Sequence, residues 1–289
     1  MSFVNAREMI RTAQKEGYAV PAFNAENLEM IQAIISAAEK EKSPVMIQTT
    51  SPTVRHLTLS GAVAMVRSMA LRTKIPVALH LDHCENPDDV IAAMKEGYTS
   101  VMYDGSKLSY EQNAENTRRL ATLAHEYGVS IEAELGTLGG KEDGAGAGVL
   151  AYTDVEEARK FAAYTGIDYF AVAIGTAHGF YKGEPKLDFD LLADIRDVVD
   201  APLVLHGGSG IPDEQVKKCI SLGIAKVNVA TELRDAMTKA VSKALEDEKI
   251  IDPKKFMGPG RDAVEALCIE KIRVCGSSGK AELNFSTID

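Results

Sequence analysis

The sequence lacks a long apolar run, a basic cluster and a close cysteine pair, and each absence removes a class of protein. The longest apolar stretches, such as Tyr169 to Gly175, fall far short of the roughly 20 residues that a membrane-spanning helix needs. Arg7, Glu8, Arg11, Lys15 and Glu16 stand where a secretory signal would be apolar, so a cytoplasmic protein without a membrane partner is expected. Lys and Arg number 32 against 42 Asp and Glu, a net charge of −10, and no basic run offsets it, so no nucleic-acid partner is expected. An anionic ligand would therefore need a site built locally for it. The four cysteines, Cys84, Cys219, Cys268 and Cys275, form no CxxC, which argues against a disulfide framework or a cysteine zinc knuckle. Cys219 and Cys268 read as buried apolar filler. No linker or low-complexity tract interrupts residues 1–289, which are read as one domain.

What is present is an alternation of short β-rich runs and longer helical stretches. The runs cover residues 19–25, 44–50, 76–83, 100–105, 130–136, 169–175, 202–208 and 226–232. They are apolar on both faces, as parallel strands covered by helices are. Leu28, Ile31, Ile35 and Ala38, and again Leu59, Val63, Val66 and Ala70, recur at helical spacing between them. Pro44, Pro76 and Pro202 open strand runs, where a missing N–H is tolerated. Gly97, Gly128, Gly166 and Gly223 fall where helices should end. Repeated β-then-α units predict an α/β fold, a single (β/α)8 TIM barrel, with extra C-terminal helices. An open doubly wound sheet would want GxGxxG after the first strand, and Asn24-Ala25-Glu26-Asn27 stands there instead.

Chemistry in such barrels gathers at the C-terminal ends of the strands. Of the six histidines, His80 and His83, His178, and His206 fall at or near those ends, whereas His56 is read in a loop and His125 in a helix. A lone histidine near a strand is usually structural, but several at one rim converge on one mouth. His83, His178 and His206 could supply three imidazoles to a catalytic metal. His80 shares strand parity with Asp82 and is expected to point into the barrel as support, although ligation by His80 in place of His83 stays open on pattern alone. Asp82 could be a ligand, an orienting group or a general acid/base. Asp104 and Glu134 end the next two strands and could bind a second cation, or merely cap and pair.

Strand seven runs into Gly207-Gly208-Ser209-Gly210, and strand eight carries Asn228-Val229-Ala230-Thr231 before a helix. Loops after strands seven and eight commonly cradle phosphate with backbone N–H groups, so a chain of charge −10 can still hold an anion. HGGSG is not an esterase elbow, since GxSxG fails at Ile211. The glycine-rich segment 139–148 could be a solvated loop, or a mobile lid carrying Glu142 or Asp143 to the site.

The segments YAVPAFNAEN, LHLDH, EAELGTLGGKED, AVAIGTAHGFY, PLVLHGGSGIP and KVNVATEL together resemble the class II, metal-dependent ketose-bisphosphate aldolases, in the tagatose- and fructose-1,6-bisphosphate branch. The resemblance implies a homodimer or homotetramer that cleaves a phosphorylated ketose to dihydroxyacetone phosphate and glyceraldehyde 3-phosphate with one Zn2+ per subunit. A monovalent cation, Na+ or K+, accompanies the phosphate in some members, and some tagatose enzymes work with a second aldolase subunit. The resemblance makes Asp82 the proton donor/acceptor, His83, His178 and His206 the zinc ligands, and Glu142 the loop acid at the C3 proton. It places a further metal at Asp104 and Glu134 in some members. Gly179, Gly207, Gly208, Ser209, Asn228, Val229, Ala230 and Thr231 match the dihydroxyacetone phosphate cradle, with Asn24 and Thr50 counted among the substrate-binding residues. Arg261 resembles an arginine that reaches a neighbouring subunit's distal phosphate. No lysine stands on strand six for a Schiff base, and Lys226 begins strand eight at the wrong end. Cys84, directly after LHLDH, is an expected thiol beside the metal and an expected point of oxidation.

Overall fold

The protein is described by a computed structural model that covers residues 2–137, 139–142, 145–146, 150–181 and 183–282. Eight parallel strands close into a barrel. They are β1 (Val20–Asn24), β2 (Val45–Thr50), β3 (Val77–Cys84), β4 (Ser100–Tyr103), β5 (Ser130–Leu135), β6 (Tyr169–Val172), β7 (Leu203–Leu205) and β8 (Ile224–Val229). Each is paired with its neighbour in sequence, and β1 closes on β8. Strand ends differ slightly from the sequence reading. The eighth run begins at Ile224 rather than Lys226, and Thr231 already opens a helix. His56 lies in the helix Ser51–Leu57, not in a loop.

The two faces of each strand fill two different spaces. Outward residues such as Phe23, Ile47, Leu79 and Leu81 pack with Met30, Ile34 and Val66 of the surrounding helices in one apolar layer. Inward residues Val20, Ala22, Met46, Ala78, Tyr169, Ala171 and Val204 join Met9, Ile10 and Ala13 of the helix Ala6–Glu16, which therefore closes the bottom of the barrel. At the C-terminal end of the chain, the helix Pro253–Val274 lies against the helices Leu28–Glu41 and Thr231–Ala244. A Cβ on Gly260 would sit 2.4 Å from the Met237 sulfur, so glycine sets that close helix crossing.

Above the apolar floor the barrel interior turns polar. Lys226 is fully buried and donates to Glu132 at 2.8 Å, and Glu132 also meets His206 at 2.7 Å. Lys226 thus points inside as a structural cation beneath the mouth. All four cysteines are buried. Cys84 lies in the outer apolar layer, not against the mouth, which corrects its expected place beside the metal. The physical reason is the strand: the residue after His83 is turned out towards the helices. Burial pushes all four thiols up, Cys219 and Cys275 to about 12.

Two outcomes follow from this packing. Lys226→Met removes the buried ammonium beside Glu132, leaving that carboxylate to the His206 and His80 imidazoles, and lowers unfolding free energy by about 3–5 kcal/mol. Denaturant titration in chelator checks this, and Lys226→Met with Glu132→Gln recovers more than half. Ellman's reagent at pH 8 leaves all four thiols unmodified in the native protein and reaches them after denaturation, and Cys84→Ala leaves peroxide sensitivity unchanged.

Candidate active site

The site begins with a fault in strand β3. Alternation would send Asp82 and His83 to opposite faces. The pairing of β3 with β4 shifts register between Leu81 and Cys84, and His83 adopts φ 45, a left-handed value unusual for a residue with a side chain. The distortion turns both side chains towards the mouth. Asp82 receives the Gln48 amide at 3.1 Å and the Asn228 amide at 3.2 Å, and Gln48 also donates to Asn24 at 3.0 Å. His83 meets Asp104 at 3.1 Å and Glu134 at 3.9 Å.

His178 comes from beyond β6 and His206 from the end of β7. The ring centres lie 4.9 Å apart for His83 and His178, 4.5 Å for His83 and His206, and 6.3 Å for His178 and His206. One nitrogen from each lies within 4.8 Å of the other two, an arrangement that could hold a metal ion. His83, Asp104 and Glu134 form a second such group. His80 is buried and packs between Ser100, Asp82 at 3.6 Å and Glu132 at 3.5 Å, so it supports the mouth as its strand parity predicted.

The electrostatics suit a cation. Burial alone would raise Asp82, but His83, His80 and Lys226 outweigh it and hold the carboxyl well below the usual range. For Asp104 burial is likewise outweighed, by hydrogen bonds from His83 and Ser106. Glu132 is held at about 2 despite burial, through Lys226 and His206. Burial and the neighbouring Asp104 push Glu134 up. Burial, with His83 and His206 nearby, keeps His178 neutral, the form that ligates. Burial and His83 push His206 down, yet hydrogen bonds to Glu132 and Glu134 carry it up to about 9. Asp104 fixes His83 on Nδ1 and so sets the direction of its Nε2, as carboxylates usually orient metal-binding histidines, whereas His206 meets Glu134 on Nδ1 and Glu132 on Nε2, so a metal bound there would take the place of one carboxylate. Three converging imidazoles, two of them supported by carboxylates, thus fit a divalent metal.

Beside these groups lies a cleft. Of the residues expected to cradle phosphate, Gly179, Gly207, Gly208, Ser209, Asn228, Ala230 and Thr231 line it, as do Asn24, Asp82 and His178. The helix Thr231–Ala244 has no cap of its own, and the Ser209 hydroxyl accepts from the N–H groups of Ala230 at 3.2 Å and Glu232 at 3.4 Å. A Cβ on Gly208 would lie 2.5 Å from the Asn228 carbonyl oxygen, so only glycine allows the two loops this close. Tyr181 ties the rim together: its hydroxyl accepts from the Ala177 N–H and donates to the Gly207 carbonyl, each at 2.9 Å.

Three expected residues stand apart from the cleft. Thr50 is buried and meets Thr53 at 3.1 Å, Val229 turns its side chain into the outer apolar layer, and Arg261 pairs with its neighbour Asp262 at 3.0 Å. The strand Gly139–Glu142 pairs with Ala177–His178, so part of the glycine-rich segment is sheet rather than loop. The side chain of Glu142 and all of Asp143 lie outside the described residues. Sequence reasoning missed Arg234, which also lines the cleft, and Glu26, which pairs with it. Helical spacing held the signal, since Arg234 stands one turn after Thr231.

Residues 4–280 match the family model for fructose-bisphosphate aldolase class-II. A fructose-bisphosphate aldolase of Geobacillus stearothermophilus is 47% identical over 286 residues, spanning 97% of this chain and 99% of that one. The crystal structure of the YdjI aldolase from Escherichia coli K12 superposes with a TM-score of 0.86 at 36% identity, covering 97% of this chain and all of that one. A fructose-bisphosphate aldolase from Campylobacter jejuni shares the fold, with a TM-score of 0.80 at 23% identity over 94% of each chain. With nearly its whole length matched to the family, and almost half its positions shared end to end with an aldolase, the chain belongs to the class-II fructose-bisphosphate aldolases and is a carbon–carbon lyase.

Proposed function

We propose that this enzyme is a zinc-dependent aldolase that reversibly cleaves fructose 1,6-bisphosphate to dihydroxyacetone phosphate and glyceraldehyde 3-phosphate in the cytoplasm. The observation that carries the reading is the convergence of one nitrogen from each of three imidazoles within 4.8 Å of one another, beside an anionic, buried Asp82. His83, His178 and His206 would hold the Zn2+. When bound, zinc supplies Lewis-acid stabilisation of the negative charge that carbon–carbon cleavage leaves on the dihydroxyacetone phosphate half. Similarity to the fructose-bisphosphate aldolase of Geobacillus stearothermophilus favours the fructose substrate over its tagatose epimer.

The chain's own residues supply the rest. Asp82 is held ionised, so in cleavage it is in the correct form to take the proton of the C4 hydroxyl, and in condensation it returns that proton. The Gln48 and Asn228 amides fix the carboxylate on both oxygens, which limits the geometry in which the proton moves. Backbone N–H groups at Gly179, Gly207, Ser209 and Thr231 would hold the phosphate of the dihydroxyacetone half, with Gly208, Asn228 and Ala230 shaping the loops around it. Glu142 is the proposed acid at C3. Arg261 is the proposed contact from a second copy of this chain to the distal phosphate.

The test measures dihydroxyacetone phosphate release from fructose and tagatose 1,6-bisphosphates, with chelator and with zinc added back. Fructose bisphosphate is cleaved faster, chelator abolishes turnover and zinc restores it. Release that ignores the chelator overturns the metal reading. His206→Ala loses both zinc and turnover. Asp82→Asn retains zinc, measured by atomic absorption, while turnover falls about 10²- to 10⁴-fold.

A further inference from the structure

Two of the three imidazoles at the mouth stand beyond the point where their strands stop pairing. The ladder between β6 and β7 ends at Ala171 and Val204. His178 and His206 both come later in the chain, so that ladder does not set their spacing. Their rings lie 6.3 Å apart and must serve one ion. A site of this kind holds its groups to within roughly 0.5 Å.

The Tyr181 side chain joins the two segments. Its hydroxyl accepts from the N–H of Ala177, the residue before His178. It donates to the carbonyl of Gly207, the residue after His206, and both bonds are 2.9 Å long. The backbones approach closely at the same point: Gly207 holds φ 65, and a Cβ there would collide with the Ala177 carbonyl oxygen. Tyr181 is half-buried, its ring packs on the outer apolar layer, and a Cβ on Gly210 would lie 3.4 Å from that ring. The phenol is therefore fixed at its ring and committed at its oxygen. On the other side of the His178 segment, Gly139 pairs with Ala177 and Gly140 with His178. Strand pairing and the tyrosine thus grip the segment from two sides.

We propose that Tyr181 is a positioning residue for the metal: its hydroxyl, held between Ala177 and Gly207, sets the separation of the His178 and His206 imidazoles and so governs how tightly the site takes zinc. The proposal rests on the reading that His83, His178 and His206 hold that ion. Tyr181 acts through the backbone and is not itself a ligand. Carboxylates turn the rings of His83 and His206, whereas the phenol fixes where two of the rings start from. Without the hydroxyl, the Ala177 N–H and the Gly207 carbonyl lose their shared partner, and each loop relaxes by itself. A backbone shift carries its imidazole with it, so the loss falls on coordination. Groups one step behind the ligands are worth about 10- to 100-fold in metal affinity.

A hydroxyl that only stabilised the fold would give another pattern, and Tyr98 supplies the comparison. It is fully buried just before β4, and its hydroxyl meets Thr49 at 2.8 Å. The test strips the full-length protein and its variants of metal and reloads them. Competition with a chromophoric chelator reads zinc affinity, the visible spectrum of the cobalt-loaded protein reads ligand geometry, and the melting temperature of the metal-free protein reads the fold. Tyr181→Phe, which keeps the ring, weakens zinc by about 10-fold and changes the cobalt bands. Tyr98→Phe keeps the wild-type zinc affinity and cobalt spectrum, whatever it loses in melting temperature.

Unchanged zinc affinity and cobalt spectrum in a folded Tyr181→Phe overturn the inference and leave the three-histidine reading standing. An equal loss of zinc affinity in Tyr98→Phe also overturns it, because metal binding would then follow overall stability. Wild-type cobalt binding that survives His178→Ala unchanged overturns the three-histidine reading itself.

Discussion

A β-strand sends neighbouring side chains to opposite faces, yet Asp82 and His83 both reach the mouth of this barrel. The register shift after Leu81 and the left-handed φ of His83 make that possible. Left-handed backbone is costly for a residue with a side chain, so the rest of the rim must hold it in place. Asp104 and Glu134 grip the imidazole, and Gln48 and Asn228 grip the carboxylate. A group for proton transfer and a candidate metal ligand thereby sit side by side on one rigid element. Cys84, the next residue, is returned to the apolar layer, which is why a thiol so close in sequence is absent from the site.

The polar layer beneath the rim explains how the site keeps its charges. Four carboxylates, Asp82, Asp104, Glu132 and Glu134, gather there with Lys226 beneath them. Buried carboxylates persist only when paired or when they face a cation. Lys226 answers Glu132 from below, and the imidazoles answer the others from the side. The excess of negative charge that remains suits a divalent ion at the mouth. The cleft a few residues away has the opposite surroundings: glycine loops, a helix start capped by the Ser209 hydroxyl and the guanidinium of Arg234.

Much of this was legible in the sequence because barrel rules turn linear order into spatial order. Strand-opening prolines, helix-ending glycines and doubly apolar runs located the strands, and strand ends located His83, His178 and His206. Parity alone put His80 inside. What stayed hidden depends on contacts between distant residues. No local pattern announces a bulge at His83, since the unbulged strand reads identically. The strand Gly139–Glu142 has no periodicity to detect, because its pairing with Ala177–His178 depends on backbone rather than side chains. Gly140 reveals the reason: a Cβ there would lie 2.1 Å from the His178 carbonyl oxygen. Arg234 was passed over although it stands one helical turn after Thr231; its pairing with Glu26, 208 residues away, is what no motif shows.

The central claim is that three histidines from separate strands hold one zinc ion with Asp82 free beside it. Anomalous diffraction at the zinc edge, on crystals grown with zinc, tests it most directly. The account predicts a strong peak bonded to nitrogen atoms of His83, His178 and His206, with no Asp82 oxygen in the coordination sphere. A peak held only by Asp104 and Glu134, or one in which Asp82 replaces a histidine, would contradict it.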